Sequence, residues 1–221
     1  LYDAFTMTTR GIRRKKSYLA EIKVAVIGAP CVGKSALTVR FLTKRYIGEY
    51  DHQAENRHKY EIMVDGEAVL CEIWDTCPKI EENAEALSLT AGSETVQWAD
   101  GLLLVYSITD RDSFNFIRRA KEELAGDLPV ALVGNKVDMV HLRQVSTDEG
   151  EILAKDFECK FFEISAAEHV YQVAEAFLEL CREVLTGKRK SKQSFIDKID
   201  RMLSGSRTYS RGKSDSISPK E

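Results

Sequence analysis

Eight residues narrow the choice of fold more than anything else in the chain: Gly28-Ala29-Pro30-Cys31-Val32-Gly33-Lys34-Ser35, a G-x-x-x-x-G-K-[ST] run. Its flanks supply the context such a run needs. Ile22 to Ile27 is a short β-branched stretch, read as a strand entering the loop. Ser35 to Leu42 has helical spacing, read as a helix leaving it. A helix N-terminus presents unpaired N–H groups and the positive end of its dipole, which is what a polyphosphate requires. In this reading the backbone from Gly28 to Ala36 cradles phosphates. Lys34 adds a point charge near the outer phosphates, and the Ser35 hydroxyl is a Mg2+ ligand. A chance match has odds of roughly 1% at average residue usage, before strand–loop–helix context is asked for.

Beyond the loop, strand and helix patterns alternate. The first helix runs to about Lys44, and Tyr46 to Arg57 has no periodicity and reads as a long exposed loop. Lys59 to Val64 and Ala68 to Trp74 alternate around Asp65-Gly66, a strong hairpin signal. The polar stretch from Thr76 to Gln97 is helical by composition between Ile80 and Leu89. Gly101 to Ser107 and Pro129 to Gly134 are continuous apolar runs, expected of strands buried on both faces. Arg111 to Leu124 reads as a helix. Ser146 and Glu149 have capping-box spacing ahead of a helix to Phe157. A strand from Lys160 to Ile164 and an amphipathic helix from Tyr171 to Leu185 complete the set. This order predicts an α/β fold with a mainly parallel sheet and its ligand at the carboxyl ends of the strands.

The 43% apolar content suffices for one domain in a chain of 221 residues. Five cysteines (Cys31, Cys71, Cys77, Cys159 and Cys181) show no metal spacing. Their scatter suits a reducing compartment. No run is long enough to span a bilayer, and no signal-peptide core is present, so a cytoplasmic location is expected. The net charge of −3 hides a division. Residues 1–20 carry five Lys/Arg and one acid, residues 186–221 carry ten and four, and the stretch between them is left at about −13. An acidic domain with basic ends places any anionic partner at the tails.

The second motif is Asn135-Lys136-Val137-Asp138, directly after a buried strand and about 100 residues past the loop. A carboxylate at Asp138 accepts two hydrogen bonds from the N1–H and N2–H2 edge of guanine, whereas adenine offers an acceptor and nothing. Such charge-assisted bonds are worth about 1.5–3 kcal/mol each. Asn135 reaches back to the phosphate loop, and the Lys136 stem covers one face of the base.

Over residues 21–185 the chain resembles the Ras superfamily of small GTPases, with GAPCVGKS, Asp75-Thr76, NKVD and Glu163-Ile164-Ser165-Ala166-Ala167 in the family's order. Phrases such as Phe41 to Tyr46 and Val96 to Gly101 look closer to the branch around the Ras-related, oestrogen-regulated growth inhibitor than to Ras itself. The resemblance implies a P-loop NTPase fold of the Ras-like G-domain type: a six-stranded sheet, five helices on both faces, GDP/GTP bound with Mg2+, and two switch segments. It also implies a monomer that meets effector or regulator proteins through residues 46–57 and 76–97, with no direct nucleic-acid role. By motif matching, Ala166 offers its N–H to guanine O6, with Ser165 and Ala167 in the same loop. Tyr46 stands against the base, and Asp75 holds Mg2+ through water.

The switching parts depart from the family. Where its first switch has a Mg2+-ligating Thr, this chain has Gln53, and no Ser or Thr lies between Thr43 and Thr76. Where the second switch reads D-T-A-G-Q, this chain reads Asp75-Thr76-Cys77-Pro78-Lys79. Pro78 has no N–H for a γ-phosphate, and Lys79 replaces the water-orienting Gln. Pro30 stands where Ras has Gly, so a side chain crowds the path of an activating arginine. Hydrolysis is therefore expected to be slow, with Lys34 as the cation near the γ-phosphate and Lys79 either a second one or a solvent-facing loop residue. A nucleotide-bound scaffold without switching is the alternative.

The chain ends without a C-a-a-X box, so no prenyl anchor is expected. Lys188 to Lys192 is basic, and a helix from Ser194 to Leu203 would gather Phe195, Ile196, Ile199, Met202 and Leu203 on one face. Residues 188–203 leave several roles open: a reversible membrane-surface contact, a partner helix or calmodulin-like target, a nuclear address, or a helix packed back on the domain.

Overall fold

The structure is a computed structural model that describes residues 19–47, 56–76, 94–123 and 128–205, without the side chains of 120–123 and 203–205. Strands β1 (Ala20–Ile27), β2 (Asn56–Val64), β3 (Glu67–Asp75), β4 (Gly101–Ser107), β5 (Val130–Asn135) and β6 (Lys160–Glu163) form one sheet in the order β2-β3-β1-β4-β5-β6. Only the β2–β3 pair is antiparallel. Its turn is Asp65-Gly66, with φ of 51° and 84°. Positive φ at both central residues matches the right-handed strand twist, which is why Asp-Gly closes this hairpin.

Helices α1 (Lys34–Thr43), α2 (Glu94–Trp98), α3 (Arg111–Glu123), α4 (Thr147–Asp156) and α5 (Val170–Gly205) cover both faces. β4 sits in the middle of the sheet with every residue buried, and its alternating side chains show the two layers. At Gly101 the sheet meets Leu180 and Val184 of α5. At Tyr106, which points the other way, it meets Phe114 of α3, with ring centroids 5.1 Å apart, and Gly150 of α4. α1 joins the α5 layer through a stacked Phe41–Phe177 pair, centroids 4.4 Å apart. Trp74, one residue before the end of β3, makes an edge contact with Trp98 of α2. The Arg57 guanidinium lies 3.8 Å and 5.2 Å from the two rings.

The mainly parallel sheet with flanking helices agrees with the sequence reading, and strand ends differ from it by one to three residues. Three differences change what a segment was expected to form. β2 begins at Asn56, inside the stretch expected to be loop. A turn of helix, α2, forms at the end of the polar stretch, while the helix expected over Ile80 to Leu89 lies outside the described residues. The amphipathic helix expected to stop at Leu185 instead runs unbroken for 36 residues through Lys188 and Ser194 to Gly205. The apolar periodicity toward the domain ends near Leu185, and periodicity marks only the end of burial. The connecting Lys and Arg residues are good helix formers, however, and a lone Gly187 does not stop a helix. Of the roles left open for residues 188–203, packing back on the domain does not fit, because Phe195, Ile196, Ile199 and Met202 are all exposed.

At the N-terminus of α4 the Ser146–Glu149 capping box is complete. The Glu149 carboxylate also receives the Arg111 guanidinium across 2.5 Å. Arg111 first, then the Ser146 backbone N–H, holds the Glu149 pKa down at about 2. A carboxylate with a depressed folded-state pKa adds stability above its ordinary pKa and loses it as pH falls. Urea titrations between pH 7 and pH 2 should therefore show an acid limb between about 4.5 and about 2 that Glu149→Gln flattens. The pair is part-exposed, so the loss at neutral pH should stay under about 1 kcal/mol. An unchanged acid limb in the variant would refute this account of the cap.

Candidate functional site

The carboxyl ends of β1, β3, β5 and β6 bring the sequence motifs together. Gly28 follows β1 where a Cβ would lie 2.2 Å from the Val105 carbonyl oxygen, so only glycine lets the chain leave the sheet there. Pro30 and Cys31 form the exposed crest, with Cys31 at φ 60°. Gly33, at φ 96°, is the N-cap of α1, and no side chain caps that helix. The first N–H groups of α1 are thus presented to the loop without a competing side-chain acceptor. Lys34 is buried, and its ammonium donates to the carbonyls of Gly28 (2.9 Å) and Ala29 (2.8 Å). These bonds draw the loop around the cation and fix its charge at the centre of the cradle.

Asp75 ends β3 and is 2% exposed. Burial raises its pKa; the hydrogen bond from Ser35, then the charges of Lys34 and His58, oppose that shift. Its Oδ1 has no partner among the described residues. A buried carboxylate oxygen left over beside a hydroxyl fits a hydrated divalent cation, which favours oxygen ligands and keeps several waters. Ser35 would be the direct ligand and Asp75 the partner of a metal-bound water. Thr76 fastens the strand end through its N–H and hydroxyl to the Val26 carbonyl, the latter at 2.7 Å.

Asn135 is 1% exposed and joins the two motifs. Its Nδ2 donates to the Val32 carbonyl in the phosphate loop (2.8 Å), and its Oδ1 accepts the N–H of Ala166 (3.1 Å). The Ala166 N–H, assigned by resemblance to guanine O6, is here bonded to Asn135. Ser165 shapes that loop: its hydroxyl accepts from the N–H groups of Ala167 and Glu168, and its own N–H reaches His169 Nδ1. Lys136 takes a left-handed conformation, φ 69°, that turns the chain into a short 3-10 segment, Val137–Leu142, where Asp138 is exposed. Arg143, just beyond, forms two bonds to Glu163 (2.7 and 3.0 Å), tying the segment to the end of β6.

One residue of the site was missed by sequence reasoning. Arg40 of α1 is 8% exposed. Its Nε donates to the Ala166 carbonyl (2.7 Å), and its Nη2 to the adjacent Ala167 carbonyl. Its guanidinium lies 5.6 Å from the Tyr46 ring centroid. Arg40 therefore holds the Ser165–Ala167 loop on one side and meets the Tyr46 ring on the other. The only trace of this in the sequence is a cation on the inward face of the first helix. Gln53, Cys77, Pro78 and Lys79 lie outside the described residues.

Comparison with known proteins agrees with this geometry. The Ras family profile matches residues 23–186. The chain belongs to the Ras family of small GTPases, a GTP-binding family. It is 44% identical to Ras-like protein family member 11B of Danio rerio over 166 residues, 72% of this chain and 68% of that protein. It is 42% identical to Ras-like protein family member 11A of Rattus norvegicus over 181 residues, covering 77% and 75%. Human Ras-related and estrogen-regulated growth inhibitor is 41% identical over 197 residues, covering 83% of this chain and 96% of the relative.

Arg40→Met removes both bonds to the Ser165–Ala167 loop and should weaken fluorescent GDP binding at least about tenfold. Arg40→Lys should recover little of it, since one ammonium cannot reproduce a planar fork on two carbonyls. Unchanged affinity in both variants would remove Arg40 from the site. Asp75→Asn should abolish most of the Mg2+-dependent rise in melting temperature of the GDP complex. A full rise in that variant would mean that Asp75 does not serve the ion.

Proposed function

We propose that this protein is a guanine-nucleotide-binding member of the family that takes GDP and GTP with Mg2+, turns GTP over slowly and signals through protein contacts at residues 46–57 and 76–97. The observation that carries the nucleotide reading is Asn135. One buried amide links the phosphate loop at Val32 to the guanine-reading loop at Ala166, across 103 and 31 residues of chain. That tie supports the reading, because it would hold a phosphate cradle and a purine-edge reader at a fixed separation. Asp138 then selects guanine, and the Lys136 stem and Tyr46 stand at the faces of the base.

The slow rate rests on chemistry absent from the sequence. Bound Mg2+ would neutralise charge on the phosphate oxygens; Lys34 adds a second cation, held by the loop's own carbonyls. No Gln orients a water at position 79, and Pro78 offers no N–H to a third phosphate. Where GTP makes few contacts that GDP lacks, it shifts the switch equilibrium little. The same substitutions support a second reading, a nucleotide-bound scaffold that does not turn over.

Single-turnover hydrolysis of bound, γ-labelled GTP separates the two. Slow loss of the label, abolished by Lys34→Ala, supports the enzyme; full retention over hours supports the scaffold. In the same preparation Asp138→Asn should narrow the preference for GTP over ATP at least tenfold. An unaltered preference would overturn the guanine assignment.

A further inference from the structure

From Thr186 onward every described side chain of α5 is exposed, yet the helix continues to Gly205, about 30 Å further. Phe195, Ile196, Ile199 and Met202 lie on this stretch, 65%, 42%, 39% and 74% exposed. At helical spacing they fall within an arc of about 120°. Lys190, Asp197 and Arg201 occupy the opposite face, Lys198 borders the arc on one side and Asp200 on the other, and Lys192 stands one turn ahead of it. No helix among the described residues is long and apolar enough to cross a membrane.

The root of this extension is fastened to the sheet. Lys188 donates to the Asp100 carboxylate (2.6 Å) and the Glu21 carbonyl (2.8 Å). Arg189 pairs with Glu67 at 2.5 Å and Arg182 with Asp65 at 2.8 Å. Glu21 opens β1, Asp100 precedes β4, and Asp65 and Glu67 flank the β2–β3 turn. All four lie at the end of the sheet opposite Lys34, Asp75 and Asn135. The exposed helix therefore leaves the domain from the pole farthest from the nucleotide pocket.

We propose that residues 190–202 of α5 dock lengthwise on an anionic lipid bilayer, with Phe195, Ile196, Ile199 and Met202 in the acyl boundary and the adjoining Lys192 and Lys198 at the headgroup phosphates. Charge complementarity selects this occupant. Residues 186–221 hold ten Lys/Arg against four acids, while residues 21–185 carry about −13. An anionic surface attracts the extension and repels the domain, so it orients the molecule with the helix down and the pocket outward. A second copy fits less well. The seam formed by Phe195, Ile199 and Met202 spans about two turns, short of the three to four heptads that sustain pairing, and pairing would bring two cationic helices together. The proposal does not depend on the nucleotide reading.

Vesicle flotation of the full chain loaded with GDP and Mg2+ tests it. At about 0.1 M salt, vesicles with about 30 mol% phosphatidylserine should carry at least ten times more protein than phosphatidylcholine vesicles, and about 1 M salt should cancel the difference. Phe195→Asp with Ile199→Asp should abolish flotation, and Lys192→Glu with Lys198→Glu should cut it at least fivefold. Both double variants should keep wild-type GDP affinity, which shows that the domain is folded. No flotation of the wild type on anionic vesicles, or undiminished flotation of the Phe195/Ile199 variant, overturns the proposal. So does Ca2+-calmodulin binding, or a dimer lost in the Phe195/Ile199 variant, where vesicles carry nothing.

Discussion

The two hydrogen bonds of the Asn135 side chain are the joint on which the rest of the pocket turns. β5 ends there, between the strands that abut the phosphate loop and the Ser165–Ala167 loop. Without the Asn135 amide, the loop after β1 and the loop after β6 would be two separate features on one sheet edge. With it, a donor reaches Val32 on one side and an acceptor holds Ala166 on the other. Gly33 is glycine partly for this reason, since a Cβ would lie 2.4 Å from the Asn135 nitrogen. A buried amide with both ends satisfied is stiff, and losing either end leaves a buried group unpaired.

α1 adds the second brace. Its N-terminus faces the phosphate loop, Arg40 two turns on grips the carbonyls of Ala166 and Ala167, and Phe41 stacks on Phe177 of α5. One ten-residue helix thus touches the Gly28–Ser35 loop, the Ser165–Ala167 loop and the helix that leaves the opposite pole. Asp75 and Ser35 complete the set with a carboxylate held, at a desolvation cost, beside a hydroxyl. That arrangement is unfavourable for an isolated anion and sensible for one that meets a cation.

Much of this was legible in the chain because it is local. The phosphate loop, Asp65-Gly66, the Ser146–Glu149 cap and NKVD are short patterns whose chemistry depends on near neighbours. β4 and β5 could be read as buried from their unbroken apolar runs. Arg40 was hidden because its partners lie 126 and 127 residues away, and sequence spacing cannot show that a cation turns inward. The length of α5 was hidden for a different reason. Periodicity reports burial, and the helix outlives its burial at Leu185, held by helix-forming residues and by the Lys188 and Arg189 ion pairs. The Ala166 N–H shows a third limit, because a group assigned to a ligand by motif can also be spoken for by a neighbouring side chain.

The central claim is that Asn135 sets the separation of the phosphate and base sites. Stopped-flow release of fluorescent GDP from Asn135→Ala, against wild type, measures it most directly. Loss of about 2 kcal/mol of tie predicts release roughly 30-fold faster, with the sheet still folded by circular dichroism. Release at the wild-type rate from a folded variant would show that the two loops keep their places without it.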